Sequence, residues 1–127
     1  MDSVNLVVFA ALVEYVVFGV VAGGTRSKYG VAAPATTGHP EWERLYRVHI
    51  NTLEQLIVFI PAIYGFAHYV SESLAAGIGV MFVIGRIVYF FGYRAAADKR
   101  ALGAIMSAPP SYVLLIGAII GLVRTLI

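Results

Sequence analysis

Three polar residues recur at helical spacing near the middle of the chain. Arg47, Asn51 and Glu54 stand at positions i, i+4 and i+7, and His49 and Gln55 flank them. A helix therefore places the three on one face. Arginine binds carboxylate and phosphate groups through paired N–H donors, and a carboxylate binds an amine. This face has the groups that a zwitterionic ligand requires.

A second polar stripe follows further along the chain. Arg86, Tyr89 and Tyr93 stand at i, i+3 and i+7, and Arg100 lies just beyond them. Tyrosine commonly serves only as an anchor at a membrane interface, but the alignment with Arg86 favours a role for both tyrosines in the wall of a cleft. With Arg26 and Arg100 near its opening, the cleft is predicted to take an anion with more than one acid group, such as a small peptide.

The composition predicts the environment of these residues. Of 127 residues, 60% are hydrophobic and 13% are charged, whereas a typical soluble domain is about a quarter charged. The net charge of +2, without any Lys/Arg run, is too small to indicate nucleic acid as a partner, and none is predicted. There is no cysteine, so any sulfur chemistry must come from a substrate, and no metal site is predicted. The chain is interpreted as an integral membrane protein.

Four segments are apolar and long enough to cross a bilayer, which requires roughly 20 residues. The predicted spans are residues 4–22, 44–69, 74–93 and 107–126, in a single domain over 1–127. The fold class is therefore an all-α membrane protein, a four-helix transmembrane bundle. The fourth span is expected to open at Pro109 and Pro110. Pro40 suits the first turn of the second helix, and Ser71 or Ser73 caps the third.

The basic residues predict the orientation in the membrane. On the side of the membrane where both termini lie, the basic residue is Arg124. On the other side, the connections between spans one and two and between spans three and four contain seven basic residues: Arg26, Lys28, Arg44, Arg47, Arg94, Lys99 and Arg100. Both basic connections are expected in the cytoplasm and both termini on the opposite side. The short termini favour a bacterial inner membrane.

Three ionisable residues are predicted at similar depth in the membrane. Glu14, Glu54 and Arg86 are expected to form a carboxylate–guanidinium cluster, since buried charges seek partners. The cluster either fastens the helices together or takes part in the site. A lone glutamate in the first helix also resembles small proton-coupled multidrug exporters, although Arg86 and the basic first loop disfavour a pathway for cations.

Four runs of residues resemble a known family. Residues 47–55 read RVHINTLEQ, residues 36–44 read TTGHPEWER, residues 85–93 read GRIVYFFGY, and residues 98–100 read DKR. In this order, and with four spans, they resemble the MAPEG family, the membrane-associated proteins in eicosanoid and glutathione metabolism. The resemblance implies a homotrimer with sites between subunits. It also implies conjugation or reduction of lipophilic electrophiles with glutathione as co-substrate, or a non-catalytic lipid-binding scaffold.

The resemblance also implies a role for each matching residue. Arg100 matches an arginine that stabilises the glutathione thiolate. Positions that contact glutathione in the family are matched by Arg26, Arg47, His49, Asn51, Glu54, Tyr89 and Tyr93. Gln55 departs from the tyrosine of leukotriene-forming members, which favours a general glutathione transferase or peroxidase. Glu14 and Arg86 are assigned structural, supporting roles.

Overall fold

The computed structural model describes residues 1–127 and is built from helices alone. Its elements are α1 (Asp2–Gly24), the short α2 (Arg26–Tyr29), α3 (Pro40–Tyr69), α4 (Glu72–Ala95), a 3-10 turn (Ala97–Arg100) and α5 (Ala101–Leu126). The four long helices α1, α3, α4 and α5 are each apolar and long enough to span a membrane. The predicted four-helix fold is confirmed.

Side-chain caps start the two central helices where the sequence indicates. Pro40 occupies the first turn of α3, and His39 Nδ1 accepts a hydrogen bond from the Glu41 backbone N–H at 3.1 Å. Ser71, rather than Ser73, caps α4, since its Oγ accepts from the Leu74 N–H at 3.2 Å. These contacts satisfy backbone donors that lack a partner within the helix.

The fourth long helix starts earlier than predicted. Helix α5 begins at Ala101, and Pro109 and Pro110 lie inside it, so the prediction that they open the helix was wrong. Proline removes a backbone donor, but helices in membrane bundles tolerate this loss where neighbours surround them. Here the first turns of α5 pack directly on α4 around Gly103, and this contact holds them helical.

Two apolar clusters fill the bundle, with a polar layer between them. The larger, of 14 buried residues, includes Phe59 stacked on Phe82 at 4.0 Å between ring centroids. The smaller includes Phe18 stacked on Phe90 at 4.9 Å. Along α4, Arg86 falls between the two clusters and is only 1% exposed. The polar layer therefore lies inside the bundle, at membrane depth.

Glycines bring α4 and α5 into close contact. A Cβ added at Gly103 would meet the backbone of Tyr89, and one at Gly85 would lie 2.7 Å from the Ser107 nitrogen. Small residues allow this approach of two helices. The contact fixes the polar residues of α4 beside Ser107 of α5.

Substituting Gly103 by alanine is expected to destabilise the bundle by about 1–3 kcal/mol, because the new methyl group meets backbone that has no room to move. The matched control is Gly77→Ala on α4, where an added Cβ has no neighbour within 4 Å. Thermal unfolding in detergent, followed by circular dichroism, measures both. Equal midpoints for the two variants would show that the close contact is absent.

Candidate functional site

A polar cavity of about 330 Å³ lies between α3, α4 and α5. It is lined by Arg47, Asn51, Gln55, Arg86, Tyr89, Tyr93, Arg100, Ala104, Ser107 and Ala108. Three of these residues are arginines and none is a carboxylate. The cavity therefore favours an anionic ligand, as an accumulation of like charge in a walled cleft does.

Helix α3 contributes one face to this cavity. The lining residues Arg47, Asn51 and Gln55 stand at i, i+4 and i+8. Glu54, predicted on the same face, is exposed outside the cavity. A helix turns by about 100° per residue, so i+7 lies slightly to one side of i, while i+4 and i+8 lie to the other. The cavity is on the side of Gln55, which the sequence analysis treated only as a flanking residue.

Arg86 anchors the polar layer next to the cavity. Its Nη2 donates to Asn51 Oδ1 at 3.0 Å and to Thr52 Oγ1 at 2.9 Å, and its Nη1 donates to Ser107 Oγ at 3.2 Å. The guanidinium carbon lies 4.2 Å from the centroid of the Tyr89 ring. The arginine thus links three helices and fixes the amide of Asn51.

The predicted cluster of Glu14, Glu54 and Arg86 does not form. The ion pair of the protomer joins the Met1 ammonium to Glu72 at 2.8 Å, at the opposite end of the bundle from the cavity. Both carboxylate oxygens of Glu14 are buried without a hydrogen-bond partner. The guanidinium of Arg86 is hydrogen-bonded to neutral hydroxyl and amide groups instead.

The opening of the cavity combines an arginine with the two tyrosines. The guanidinium carbon of Arg100 lies 5.7 Å from the Tyr93 ring centroid, and the Tyr93 and Tyr89 rings are 5.5 Å apart. Arg47 and Arg100 are exposed, whereas both tyrosines are buried. Two exposed cations at the entrance and hydroxyl donors along the wall suit an anion that enters from the aqueous side.

Two predicted residues lie away from this cavity. Arg26 donates from Nη1 to the Ala35 carbonyl at 2.8 Å and lies over the Trp42 ring at 4.5 Å. His49 stacks on Tyr15 at 4.5 Å, between α1 and α3. Within one protomer, the predicted residues that share the cavity are Arg47, Asn51, Tyr89, Tyr93 and Arg100, together with Arg86.

The sequence analysis missed the contribution of α5. Ser107, Ala104 and Ala108 line the cavity, and Ser107 Oγ also donates to the Gly103 carbonyl at 2.8 Å. The signal available was Ser107 itself, a hydroxyl within an apolar span. No group of three or more His, Asp or Glu side chains is placed to hold a metal ion.

Comparison with known proteins shows the family of the chain. The MAPEG family model matches residues 4–120. An uncharacterized protein of Synechocystis sp. is 41% identical over 117 residues, which cover 92% of this chain and 85% of that protein. Microsomal glutathione S-transferase 2 of Homo sapiens is 38% identical over 90 residues, which cover 71% of this chain and 61% of that enzyme. Leukotriene C4 synthase of Cavia porcellus is 35% identical over 97 residues, 76% of this chain and 65% of that enzyme.

The chain belongs to the MAPEG family, as its motifs predict. It is an integral membrane protein of four apolar helices, with a bacterial relative. The chain spans about three fifths of the length of microsomal glutathione S-transferase 2. Family membership removes the small multidrug exporter as an interpretation of Glu14.

Proposed function

We propose that this protein is a membrane glutathione transferase or peroxidase that conjugates or reduces hydrophobic electrophiles. The observation that carries the proposal is the cavity itself. Arg47, Arg86 and Arg100 converge there with Tyr93, and no carboxylate opposes them. Microsomal glutathione S-transferase 2, a relative by sequence, is named as a glutathione transferase.

Each group in the cavity has a distinct task in this proposal. Arg47 at the entrance binds a carboxylate of glutathione by charge-assisted hydrogen bonds. Asn51, fixed by its bond to Arg86, and the hydroxyls of Tyr89 and Tyr93 bind the peptide backbone. Arg100 lies beside the sulfur and favours its ionised form, as any close opposite charge does.

Once glutathione is bound and its thiolate is stabilised, conjugation requires no further catalytic group from the protein. The thiolate is the nucleophile. Its sulfur forms a bond to an electrophilic carbon, and the leaving group departs with the electron pair of the bond that breaks. Because the outer surface of the bundle is apolar, with residues such as Phe9 and Ile116 mostly exposed, the electrophile enters from the surrounding lipid.

A homotrimer accounts for the predicted site residues that do not line the cavity of a single protomer. Glu54 is exposed on α3 beside the cavity, and Arg26 lies at the start of α2. In an assembly with sites between subunits, a neighbouring protomer covers this surface and adds Arg26, His49 or Glu54 to the ligand. Glu54 then binds the ligand's amine. We place the basic loops in the cytoplasm, both termini on the other side, and the protein in a bacterial inner membrane.

Calorimetric titration with glutathione tests the binding step. Substituting Arg47 by alanine is expected to weaken binding about 10- to 100-fold, since a hydrogen bond to a charged group contributes about 1.5–3 kcal/mol. The matched control is Lys28→Ala, an exposed cation of α2 that does not line the cavity. Equal affinities of these two variants would contradict the assignment of Arg47.

An activity assay separates the enzyme from a scaffold of the same fold. Wild-type protein is expected to bind glutathione and to conjugate a lipophilic halide. Binding without any conjugation or peroxide reduction favours the non-catalytic scaffold. Absence of glutathione binding would overturn the transferase proposal, whereas the scaffold needs no bound glutathione.

A further inference from the structure

Glu14 is an acid inside the membrane whose carboxylate has no partner in the bundle. The residue is partly buried on α1, and both of its carboxylate oxygens are covered and accept no hydrogen bond. At membrane depth such a group is costly unless another group compensates it. The groove between α1 and α4 beside Glu14 provides no such group, since the other residues that line it are apolar: Val13, Val17, Phe18, Ile87, Phe90 and Phe91. Any compensation must therefore come from inside the bundle.

Two contacts fix the register of α1 against α4. Near the start of both helices, a Cβ added at Gly79 would lie 2.7 Å from a side-chain carbon of Val7. Nearer their ends, Phe18 stacks on Phe90 at 4.9 Å between ring centroids. The residue numbers increase together, so the two helices run in the same direction.

Glu14 and Arg86 occupy the same step between these two contacts. Each comes seven residues after the first contact and four residues before the second, and residues at such spacing share one face of a helix. The Nη atoms of Arg86 are bonded to neutral groups, and its Nε is buried without a partner. The carboxylate and the guanidinium are therefore neighbours across the contact of α1 with α4, without a direct ion pair.

Arg86 connects Glu14 to the cavity. The side chain of Arg86 lines the cavity, where its charge adds to the charges of Arg47 and Arg100. In apolar surroundings a charge acts over a longer distance than in water, because a low dielectric constant screens it little. An ionised Glu14 therefore offsets part of the positive charge that Arg86 presents to the cavity. When Glu14 holds a proton, the full charge of Arg86 acts on a ligand.

We propose that Glu14 tunes the affinity of the cavity for its anionic ligand through Arg86, so that the ligand binds more tightly when Glu14 is protonated than when it is ionised. The inference rests on the proposed function, which supplies the ligand, glutathione. Glu14 is a positioning residue that touches no part of the ligand. Because coupling between two sites is reciprocal, binding of glutathione is accompanied by uptake of a proton at Glu14.

The helices packed against α1 contribute two further titratable groups near Glu14. From α3, His49 stacks on Tyr15, the next residue of α1, at 4.5 Å, and its Nδ1 is buried without a partner. From α4, the Tyr89 ring lies 4.2 Å from the guanidinium carbon of Arg86. Histidine side chains in general change charge near neutral pH. His49 is therefore a competing source of pH dependence and requires its own control.

Calorimetric titration with S-methylglutathione between about pH 6 and about pH 9 tests the role of Glu14. This probe keeps the acid groups of glutathione and has no thiol to ionise. Glu14→Gln keeps the size of the side chain and removes its proton site. The two proteins are expected to bind equally at the acid end. At the alkaline end wild type should bind about 3- to 10-fold more weakly than Glu14→Gln, the scale of one partly screened charge.

The ligand's own titration is common to both proteins and cancels in the ratio of their affinities. Glu72→Gln removes the same charge at the opposite end of the bundle and should follow wild type at every pH. In a His49→Gln background, Glu14→Gln should give the same pH-dependent ratio. A ratio that does not change with pH, or that loses its pH dependence in the His49→Gln background, overturns the role of Glu14 and leaves glutathione binding intact. If thermal unfolding shows that Glu14→Gln is not folded, Glu14→Met replaces it.

Thermal unfolding in detergent at about pH 9 tests the same pair without a ligand. Glu14→Gln should lower the midpoint in the wild-type background, where Arg86 loses its counter-ion, and raise it in an Arg86→Gln background, where the carboxylate is uncompensated. Arg86→Met replaces Arg86→Gln if the latter does not fold. Additive effects of the two changes overturn the inference. Failure of wild type to bind S-methylglutathione at every pH overturns the proposed function, and the unfolding comparison then decides by itself whether Glu14 acts on Arg86.

Discussion

Replacing Arg100 by glutamine is expected to lower kcat/KM for conjugation about 100-fold at neutral pH, the scale expected for loss of one group that stabilises charge at the reacting atom. Arg100 lines the cavity next to Tyr93, and its side chain is exposed. The affinity for glutathione should change only a few-fold, since Arg47 and Asn51 remain.

The pH profile distinguishes this role from simple binding. A free thiol has a pKa of about 8.5, and the guanidinium lowers the pKa of the bound thiol by favouring the thiolate. The wild-type rate should therefore reach its plateau at a lower pH than the Arg100→Gln rate, and the variant should recover as the pH approaches that of the free thiol. Lys99→Gln, an exposed neighbour outside the cavity, is the control. A uniform loss at every pH would exclude thiolate stabilisation by Arg100.

Replacing Arg86 by leucine is expected to destabilise the bundle by about 3 kcal/mol or more, because several buried polar groups lose their donor and each such group costs about 1–3 kcal/mol. The side chain is 1% exposed and bonded to Asn51, Thr52 and Ser107. Glutathione binding should weaken as well, since Asn51 is no longer fixed.

Thermal unfolding in detergent, together with calorimetry, measures both effects of the change at Arg86. The matched control is Arg94→Leu, an exposed arginine on the same helix. Arg86→Lys keeps the charge but lacks the planar fork of donors, so it should fall between wild type and Arg86→Leu. If Arg86→Leu is as stable as Arg94→Leu, the polar layer contributes nothing to the fold.

Much of this arrangement could be predicted from the sequence because a bilayer imposes simple constraints. Long apolar segments must be helices there, so the four spans follow from composition and length. Helical spacing then placed Arg47 with Asn51 and Tyr89 with Tyr93, and both pairs line the cavity.

The remaining features depend on packing between helices, which spacing within one helix does not show. Glu54 and Gln55 differ by one position, and only the direction of the neighbouring helices decides which of them faces the cavity. The partners of Arg86 were missed because charge pairing was expected, whereas the neutral Ser107 and Thr52 lie closer. The early start of α5 depends on its contact with α4 at Gly103.

The near-ultraviolet absorbance of the thiolate, recorded as glutathione is added to purified wild-type protein at neutral pH, examines the central assignment directly. Ionised sulfur held beside Arg100 should give a difference signal that saturates with the calorimetric affinity and is lost in Arg100→Gln. Glutathione that binds while its sulfur stays protonated, or a signal that survives in the variant, would contradict it.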